Sequence, residues 1–193
     1  MLFSKLAELR RNKKTAMIIT WDLDGFKTYN DSYQSHTEGD KALGLAGDLA
    51  KSVLRPDDII ARLHGDEFIA LVEASPEDAI LIAERIRLAT AEMPALLKTP
   101  IMLRASLGIT RLSDEIIQTS YASDEAFEEV LGKAYDRADH AMYIGAKKAG
   151  GDRIGTMLDD GTIKTAVIVH LEGQHPSLTY EEPKAALTSS SRD

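Results

Sequence analysis

The sequence IARLHGDEFIALV spans residues 60–72 and decides how the rest of the chain can be arranged. Two apolar runs flank a short break containing Gly65, Asp66 and Glu67, a pattern that predicts a β-hairpin with a polar tip and two buried strands. Adjacent carboxylates repel each other and lose hydration when they are partly enclosed, so neither acid stabilises such a tip. The pattern therefore indicates a cation held at the tip.

Composition limits the class of protein. The chain has 193 residues, no cysteine and a formal net charge of -8. Its length suits one domain with its own core, and the lack of cysteine excludes a disulfide scaffold, a thiolate metal site and a cysteine nucleophile. The negative charge argues against duplex nucleic-acid binding. No apolar run reaches the roughly 18 residues of a membrane span, so we expect a cytoplasmic protein without membrane contact.

Apolar periodicity predicts the remaining elements. Residues 15–22 (TAMIITWD) and 101–110 (IMLRASLGIT) have the apolar runs typical of buried strands. Helices are expected over residues 2–12, from near residue 25, over 41–54, from a Ser75 N-cap to about residue 92, and over 124–148. Polar residues from 32 to 39 predict a loop.

The order of these elements predicts the fold class. It implies an α/β fold with a palm-like mixed sheet, antiparallel in part because of the central hairpin, and helices on its faces. Residues 1–156 are expected to form the main domain, and residues 157–172 a terminal β-hairpin extension with an Asp-Gly turn. Residues 173–193 are polar and are expected to be disordered.

Three carboxylates could meet at one edge of this sheet. Asp22 ends the first strand, and a neighbouring hairpin strand would bring Asp66 and Glu67 beside it. An oxygen-rich site of this kind suits Mg²⁺ or Mn²⁺, which usually work alongside substrate phosphates. Two such ions could activate a hydroxyl and neutralise a leaving pyrophosphate. The alternative is that Asp22 is only a helix cap or turn residue.

At this point the motifs resemble a known family. Residues 22–31 (DLDGFKTYND), followed by His36, residues 39–40, Arg62 and residues 64–68 (HGDEF), are similar to the GGDEF family of diguanylate cyclases. Later stretches AERIR (83–87), SLG (106–108) and ADHAMY (138–143) follow in the family's order. The resemblance covers about residues 3–154. It implies the palm-like fold of nucleotide cyclases and the condensation of two GTP molecules into cyclic di-GMP and two pyrophosphates.

The resemblance also implies the catalytic residues. Asp22 and Asp66 would hold the metal ions through their side chains, and Leu23 would contribute its backbone carbonyl. Glu67 would complete the acidic cluster, and either Asp66 or Glu67 would help deprotonate the attacking ribose 3′-hydroxyl. Attack on an α-phosphate needs charge neutralisation more than covalent catalysis. An acidic cluster with its bound cations supplies that neutralisation.

Further positions match the family's substrate site. Residues 25–27 match a turn whose amides cradle the β- and γ-phosphates, and Asn30 and Asp40 match its guanine-reading pair. A carboxylate accepts both N1–H and N2–H of guanine, so Asp40 would favour GTP by roughly 1–3 kcal/mol. The alternative is that Asn30 and Asp40 are caps. The expected substrate-binding residues are Gly25, Phe26, Lys27, Asn30, His36, Asp40, His64, Gly65, Lys147 and Arg153.

A second nucleotide site is implied just before the hairpin. Arg55 and Asp58 match an Arg-x-x-Asp pattern at which the family binds its product as an inhibitor. Arg85 or Arg87 could supply a second arginine. An arginine can fork onto phosphate or guanine while the aspartate accepts from guanine. The alternative is a plain helix-to-strand turn.

The chain departs from the family pattern in five respects. His64 replaces the first glycine of the five-residue motif, and Gly151 replaces a phosphate-binding arginine. The loop over residues 30–36 is one residue longer, and Lys147 and Arg153 match only with one residue inserted after Tyr143. The family's usual opening segment is also absent. Because two protomers present the two GTP molecules, we expect a homodimer or a partner that dimerises the chain.

Three functions remain open. The first is a Mg²⁺-dependent diguanylate cyclase with product inhibition. The second is a catalytically weak or inactive domain that binds GTP or cyclic di-GMP as a receptor. The third is a structural or interaction domain whose carboxylates only cap strands.

Overall fold

The computed structural model describes residues 15–33, 36–112, 124–169 and 175–183. The helix expected over residues 2–12 lies outside these ranges. The strands are β1 Ala16–Asp24, β2 Ile59–His64, β3 Glu67–Glu73, β4 Arg104–Arg111, β5 Ile154–Met157, β6 Ile163–Val169 and β7 Ser177–Glu181. The helices are α1 Phe26–Tyr33, α2 His36–Val53, α3 Pro76–Ala91, α4 Met93–Leu96 and α5 Asp124–Met142, which a π-helix, Tyr143–Lys147, continues.

The strands form one seven-stranded sheet in the order β2-β3-β1-β4-β5-β6-β7. The neighbouring pairs are antiparallel except β4 and β5, which run parallel. The mixed sheet expected from the sequence is therefore confirmed. Among the described residues, no helix is both long and apolar enough to cross a membrane.

The two faces of β1 meet different helices. Met17, Ile19 and Trp21 belong to the core cluster that contains the buried residues of α2 and α3. Ile18 belongs to a second cluster with Ala138 of α5. Since alternate residues of a strand share a face, Asp22 and Asp24 continue the face on which α5 packs. The site acids are therefore presented beside α5.

The central hairpin differs from its expected burial. Strand β3 is largely buried, but residues 61–64 of β2 are exposed, so the expectation of two buried strands is wrong for β2. The reason is the strand order, because β2 forms an edge of the sheet and has one neighbour only. An apolar run predicts a strand without revealing its position in the sheet.

Helix α2 begins earlier than the sequence predicts. It starts at His36, and α1 extends to Tyr33, so the loop expected over residues 32–39 is wrong for residues 32–33 and 36–39. Asp40 lies inside this helix and does not cap it. By contrast, the predicted N-cap of α3 is confirmed, since the Asp78 backbone N–H donates to Ser75 Oγ at 3.1 Å.

The carboxy-terminal residues extend the sheet. The predicted hairpin forms between β5 and β6, and the same sheet continues into β7. The expectation of disorder from residue 173 is therefore wrong for Ser177–Glu181. Leu178 of β7 packs against the core. The polar composition of this segment did not indicate that apolar contact. Residues 184–193 lie outside the described ranges.

Candidate active site

The hairpin tip is a two-residue turn. His64 pairs with Glu67, which leaves Gly65 and Asp66 between them. Gly65 has φ +54° and occupies the first central position, where type II′ turns require glycine. Arg62 Nε also donates to the Gly65 carbonyl at 2.8 Å. The turn and this bond together define the position of Asp66.

Three acids of the predicted cluster meet at this tip. Asp22 and Glu67 are direct cross-strand partners, which puts their side chains on one face of the sheet. Burial raises the pKa of the Asp66 carboxyl, and the negative charge of Asp22 raises it further. The structure therefore brings Asp22, Asp66 and Glu67 into one electrostatically coupled group.

Lys147 joins two carboxylates of β1. Its Nζ donates to Asp22 Oδ1 and, at 2.8 Å, to Asp24 Oδ1. Ser106 Oγ and the Asp152 backbone N–H donate to Asp24 Oδ2 at 2.7 and 2.9 Å. Burial opposes ionisation of Asp24, but these hydrogen bonds outweigh it and lower the pKa of the carboxyl. The sequence analysis missed Asp24, although its position two residues after Asp22 signals the shared face.

A π-helix presents Lys147 to these acids. The Lys148 backbone N–H donates to the Tyr143 carbonyl at 2.9 Å, the i to i+5 bond of a π-turn. Such a turn holds one residue more than an α-helical turn. The π-turn therefore accommodates the one residue that must be inserted after Tyr143 for Lys147 to align with the lysine of the family pattern.

 Gly151 has φ +77°, and a Cβ built there would lie 3.0 Å from Asp24 Oδ2. Any side chain at this position would be strained and would crowd the carboxylate. The glycine that replaces the family's arginine thus allows the close approach of Asp24 to the Asp152 backbone N–H.

Helix α5 contributes two polar side chains that the sequence analysis missed. Tyr135 donates its hydroxyl to Glu67 Oε2 at 2.9 Å, and burial followed by this bond raises the pKa of the phenol. His64 Nε2 lies 2.9 Å from the same oxygen. Burial and then the charge of Glu67 raise the pKa of Asp139, which lies one helical turn beyond Tyr135. No local motif marks Tyr135, because its contact depends on how α5 packs on the sheet.

The acids fit a divalent cation in their chemistry. Carboxylate oxygens are the ligands that Mg²⁺ and Mn²⁺ prefer, and the mutual repulsion of Asp22 and Asp66 favours positive charge between them. Leu23 has a buried hydrocarbon side chain, so only its backbone carbonyl oxygen could serve as a ligand. Within the described ranges, no three His, Asp or Glu side chains form a ready metal-binding group, and the Lys147 ammonium contacts Asp22 instead.

The phosphate-binding turn predicted after β1 is tightly packed. Gly25 has φ +88°, and a Cβ there would lie 2.3 Å from the Met102 carbonyl oxygen. The position therefore requires glycine. Phe26 then begins α1 and packs against the core, whereas Lys27 is exposed.

A groove of about 390 Å³ lies between α2 and the hairpin. Asp40, Arg62 and Phe68 are among the residues that line it. A Cβ on Gly39 would lie 2.5 Å from Asn30 Oδ1, so Asn30 lies directly against the start of α2. The two predicted guanine-reading residues, Asn30 and Asp40, are thus brought to neighbouring positions.

Two further residues expected to contact the substrate lie at, or just before, the start of an element. His36 is the first residue of α2, and its side chain lies outside the described part of the structure. Arg153 is half-buried, and its carbonyl accepts from the Leu107 backbone N–H at 2.9 Å. This bond places Arg153 beside β4, just before β5 begins.

Two of the four residues predicted for the inhibitory site line a second groove, and Asp58 and Arg87 are absent from its lining. Arg55 and Arg85 line a space of about 340 Å³, together with Leu88 and Pro176. Asp58 accepts the Arg55 backbone N–H at 2.8 Å, so it also shapes the turn. The structure thus brings Arg55 and Arg85 together at one groove.

Arg87 has a different set of partners from Arg85. It donates through Nε and Nη2 to Glu84 at 2.7 and 2.9 Å, and through Nη1 to Asp152 at 2.7 Å. Because Asp152 in turn binds Asp24 through its backbone, Arg87 connects α3 to the acidic cluster. Arg87 is therefore engaged in an ion-pair network and is absent from the lining of the inhibitory groove.

We expect Arg87→Met to destabilise the fold by about 2 kcal/mol, below the range for a fully buried pair because the groups are partly solvated. The substitution removes three charge-assisted hydrogen bonds to Glu84 and Asp152. Urea denaturation measures the effect. Arg85→Met, on the exposed side of the same helix, is the matched control, and equal stability of the two variants would contradict the assigned role.

Comparison with known proteins agrees with this geometry. A family model described as "Diguanylate cyclase, GGDEF domain" matches residues 1–153. The chain belongs to the GGDEF family. Diguanylate cyclase DgcP of Pseudomonas aeruginosa is 37% identical to this GGDEF domain over 156 residues, which are 79% of this chain and 21% of DgcP. The chain thus spans about a fifth of that relative's length.

Solved structures share the fold of this GGDEF domain. Diguanylate cyclase SiaD from Pseudomonas aeruginosa, crystallised with its activator SiaC, is 25% identical, with a TM-score of 0.63 over 80% of this chain and 55% of SiaD. The active GGEEF domain of a diguanylate cyclase from Vibrio cholerae is 25% identical, with a TM-score of 0.60 over 79% of this chain and 89% of that chain. The resemblance expected from the motifs is confirmed.

Proposed function

We propose that this GGDEF domain condenses two GTP molecules into cyclic di-GMP and two pyrophosphates. The observation that carries the proposal is the convergence of Asp22, Asp66 and Glu67 at one tip, beside a groove lined by Asp40. Membership of the GGDEF family supports cyclic di-GMP synthesis in general. Because the substrate is GTP, we place the reaction in the cytoplasm.

In each half-reaction, a ribose 3′-oxygen attacks the α-phosphate of the other GTP. A new P–O bond forms, the bond from the α-phosphate to the β-phosphate oxygen breaks, and pyrophosphate leaves with that electron pair. The hydroxyl proton passes to the carboxylate of Glu67 or Asp66. When bound, Mg²⁺ or Mn²⁺ supplies charge neutralisation for the phosphates. Asp22, Asp66, Glu67 and the Leu23 carbonyl would hold it.

Other residues would bind and orient the nucleotide. The turn over residues 25–27 leads into α1, whose first backbone N–H groups suit the β- and γ-phosphates. Asp40 would accept from the guanine edge with Asn30 beside it. Lys147 would restrain Asp22 and Asp24 and offset their charge. His36, His64, Gly65 and Arg153 complete the proposed substrate site.

Two copies of the chain would cooperate in this reaction. Each protomer presents one GTP, so the reaction needs a homodimer or a partner that brings two protomers together. The SiaD structure contains an activator protein, SiaC, and supports the idea that other proteins can assist such domains. Turnover would therefore require two protomers that face each other.

Cyclic di-GMP would inhibit the domain at the groove of Arg55 and Arg85. Two guanidinium groups beside apolar Leu88 suit a ligand with two phosphates and flat guanine bases. Asp58 could accept from guanine through the carboxylate oxygen that does not bind the Arg55 backbone. Arg87 would act indirectly, since it bridges Glu84 and Asp152.

Incubation of the purified chain with GTP and Mg²⁺, followed by chromatography, tests the reaction. We expect cyclic di-GMP and pyrophosphate as the products.

Calorimetric titration with cyclic di-GMP tests the inhibitory groove, where Arg55→Ala should weaken binding by about 10- to 100-fold through loss of a charged hydrogen bond. Arg111→Ala, which removes an arginine bound to Asp159 elsewhere, is the control. Binding without product formation would favour the receptor function, and absence of both would exclude both proposals.

A further inference from the structure

Glu67 makes two contacts that the proposed reaction leaves unexplained. The Tyr135 hydroxyl donates to Glu67 Oε2 at 2.9 Å, and His64 Nε2 lies 2.9 Å from that same oxygen. Within the described ranges, no residue donates a hydrogen bond to Oε1. The two oxygens of this carboxylate therefore have different surroundings.

Tyr135 lies on a firmly packed part of α5. Ala134 and Ala138, which flank it on the helix, are 1% and 0% exposed and pack with Ile18 and Leu71 of the sheet. The hairpin tip, by contrast, is reached through the exposed edge strand β2. The hydrogen bond from Tyr135 to Glu67 thus ties the acid to a well-packed helix.

Donors on one carboxylate oxygen restrict how the group can rotate. Partners of this kind orient the oxygens that bind a cation or accept a proton, and their loss weakens metal affinity or activity. The Tyr135 hydroxyl is such a donor, because it lies 2.9 Å from Glu67 Oε2 and points its O–H at that oxygen. His64 adds a second nitrogen at the same oxygen without any contribution from α5.

We propose that Tyr135 is a positioning residue, which holds Oε2 of Glu67 so that Oε1 remains available to a divalent cation or to the attacking hydroxyl. His64 supports the same oxygen from the hairpin. The catalytic part of this inference rests on the proposed cyclase function, whereas the cation-binding part does not. His64, which replaces a glycine of the family motif, would thus help to orient the Glu67 carboxylate.

Manganese binding tests the proposal independently of turnover. Electron paramagnetic resonance measures free Mn²⁺ during titration of the protein, alone and with 3′-deoxy-GTP, which lacks the attacking hydroxyl. We expect Tyr135→Phe to weaken Mn²⁺ affinity by about 10- to 100-fold. Tyr143→Phe is the matched control, because Tyr143 lies just beyond α5 and is 52% exposed. In the cyclase assay, kcat should fall while KM for GTP stays within about twofold, as for an interaction with no part in ground-state binding.

A double-substitution cycle separates positioning from a general structural effect. In the Glu67→Gln background, Tyr135→Phe should add little further loss of Mn²⁺ affinity, because the two residues act as one unit. His64→Gly removes the other contact to Oε2 and should weaken Mn²⁺ binding by a smaller factor. It also tests the proposal if Tyr135→Phe does not fold.

The outcomes distinguish this inference from the proposed function. Unchanged Mn²⁺ affinity in Tyr135→Phe and His64→Gly would overturn the inference, and so would fully additive losses in the Glu67→Gln background. If the wild-type chain makes no cyclic di-GMP but loses Mn²⁺ affinity on Tyr135→Phe, the cyclase proposal fails and the positioning role stands. If the wild-type chain and Tyr135→Phe form cyclic di-GMP at equal rates, the positioning role fails and the cyclase proposal stands.

Discussion

Replacing Glu67 with glutamine is expected to lower the rate of cyclic di-GMP formation by about 10²- to 10⁴-fold, the usual contribution of a catalytic base. The amide cannot take up the 3′-hydroxyl proton and has no negative charge to offer a cation. The amide oxygen can still accept a hydrogen bond from the Tyr135 hydroxyl, and glutamine has nearly the same size as glutamate. The substitution therefore removes the chemistry and leaves the packing of the hairpin in place.

Initial rates at saturating GTP and Mg²⁺ measure this loss, and circular dichroism checks that the variant is folded. Glu92→Gln makes the same exchange at an exposed residue beyond α3 and should retain the wild-type rate. If Glu67→Gln retained more than a tenth of the wild-type rate, the carboxylate could not be the proton acceptor. Asp66 would then be the remaining candidate for that role.

Part of the acidic cluster was predictable because it depends on local rules. Strand alternation and a two-residue turn place Asp66 and Glu67 at the hairpin tip, whereas the pairing of β3 with β1 is what brings them beside Asp22. Asp24 follows from the same alternation, since it lies two residues beyond Asp22 on the same face. The assignment of Lys147 needed more, because its position depends on the π-helix that absorbs an inserted residue.

Other features depend on packing that no local pattern encodes. Tyr135 reaches Glu67 only because α5 packs across the face of β1 and β3. The edge position of β2 and the addition of β7 follow from the order of strands in the sheet. Apolar runs predict that strands exist, whereas their neighbours are chosen by contacts between distant parts of the chain.

Gly155→Ala is expected to destabilise the protein by about 3 kcal/mol, at the upper end of the usual cost of overpacking. A Cβ on Gly155 would lie 1.9 Å from the Ala141 carbonyl oxygen and 3.0 Å from Gly145 Cα. Both neighbours are backbone atoms, so no side chain can rotate away to relieve the clash. Gly155 pairs with Gly108, where a Cβ would lie 2.0 Å from the Ala138 carbonyl oxygen, so the two glycines together admit the end of α5.

Urea denaturation monitored by circular dichroism gives the change in free energy of unfolding. Gly132→Ala on α5 is the matched control. Its added Cβ meets no atom of the described residues within 4 Å, so the substitution should stabilise the helix by about 0.5–1 kcal/mol. Any shift of the π-helix would also move Lys147 relative to Asp22 and Asp24. Equal stability of the two alanine variants would mean that α5 does not approach β5 as closely as described, and the support for Lys147 would then have to come from another contact.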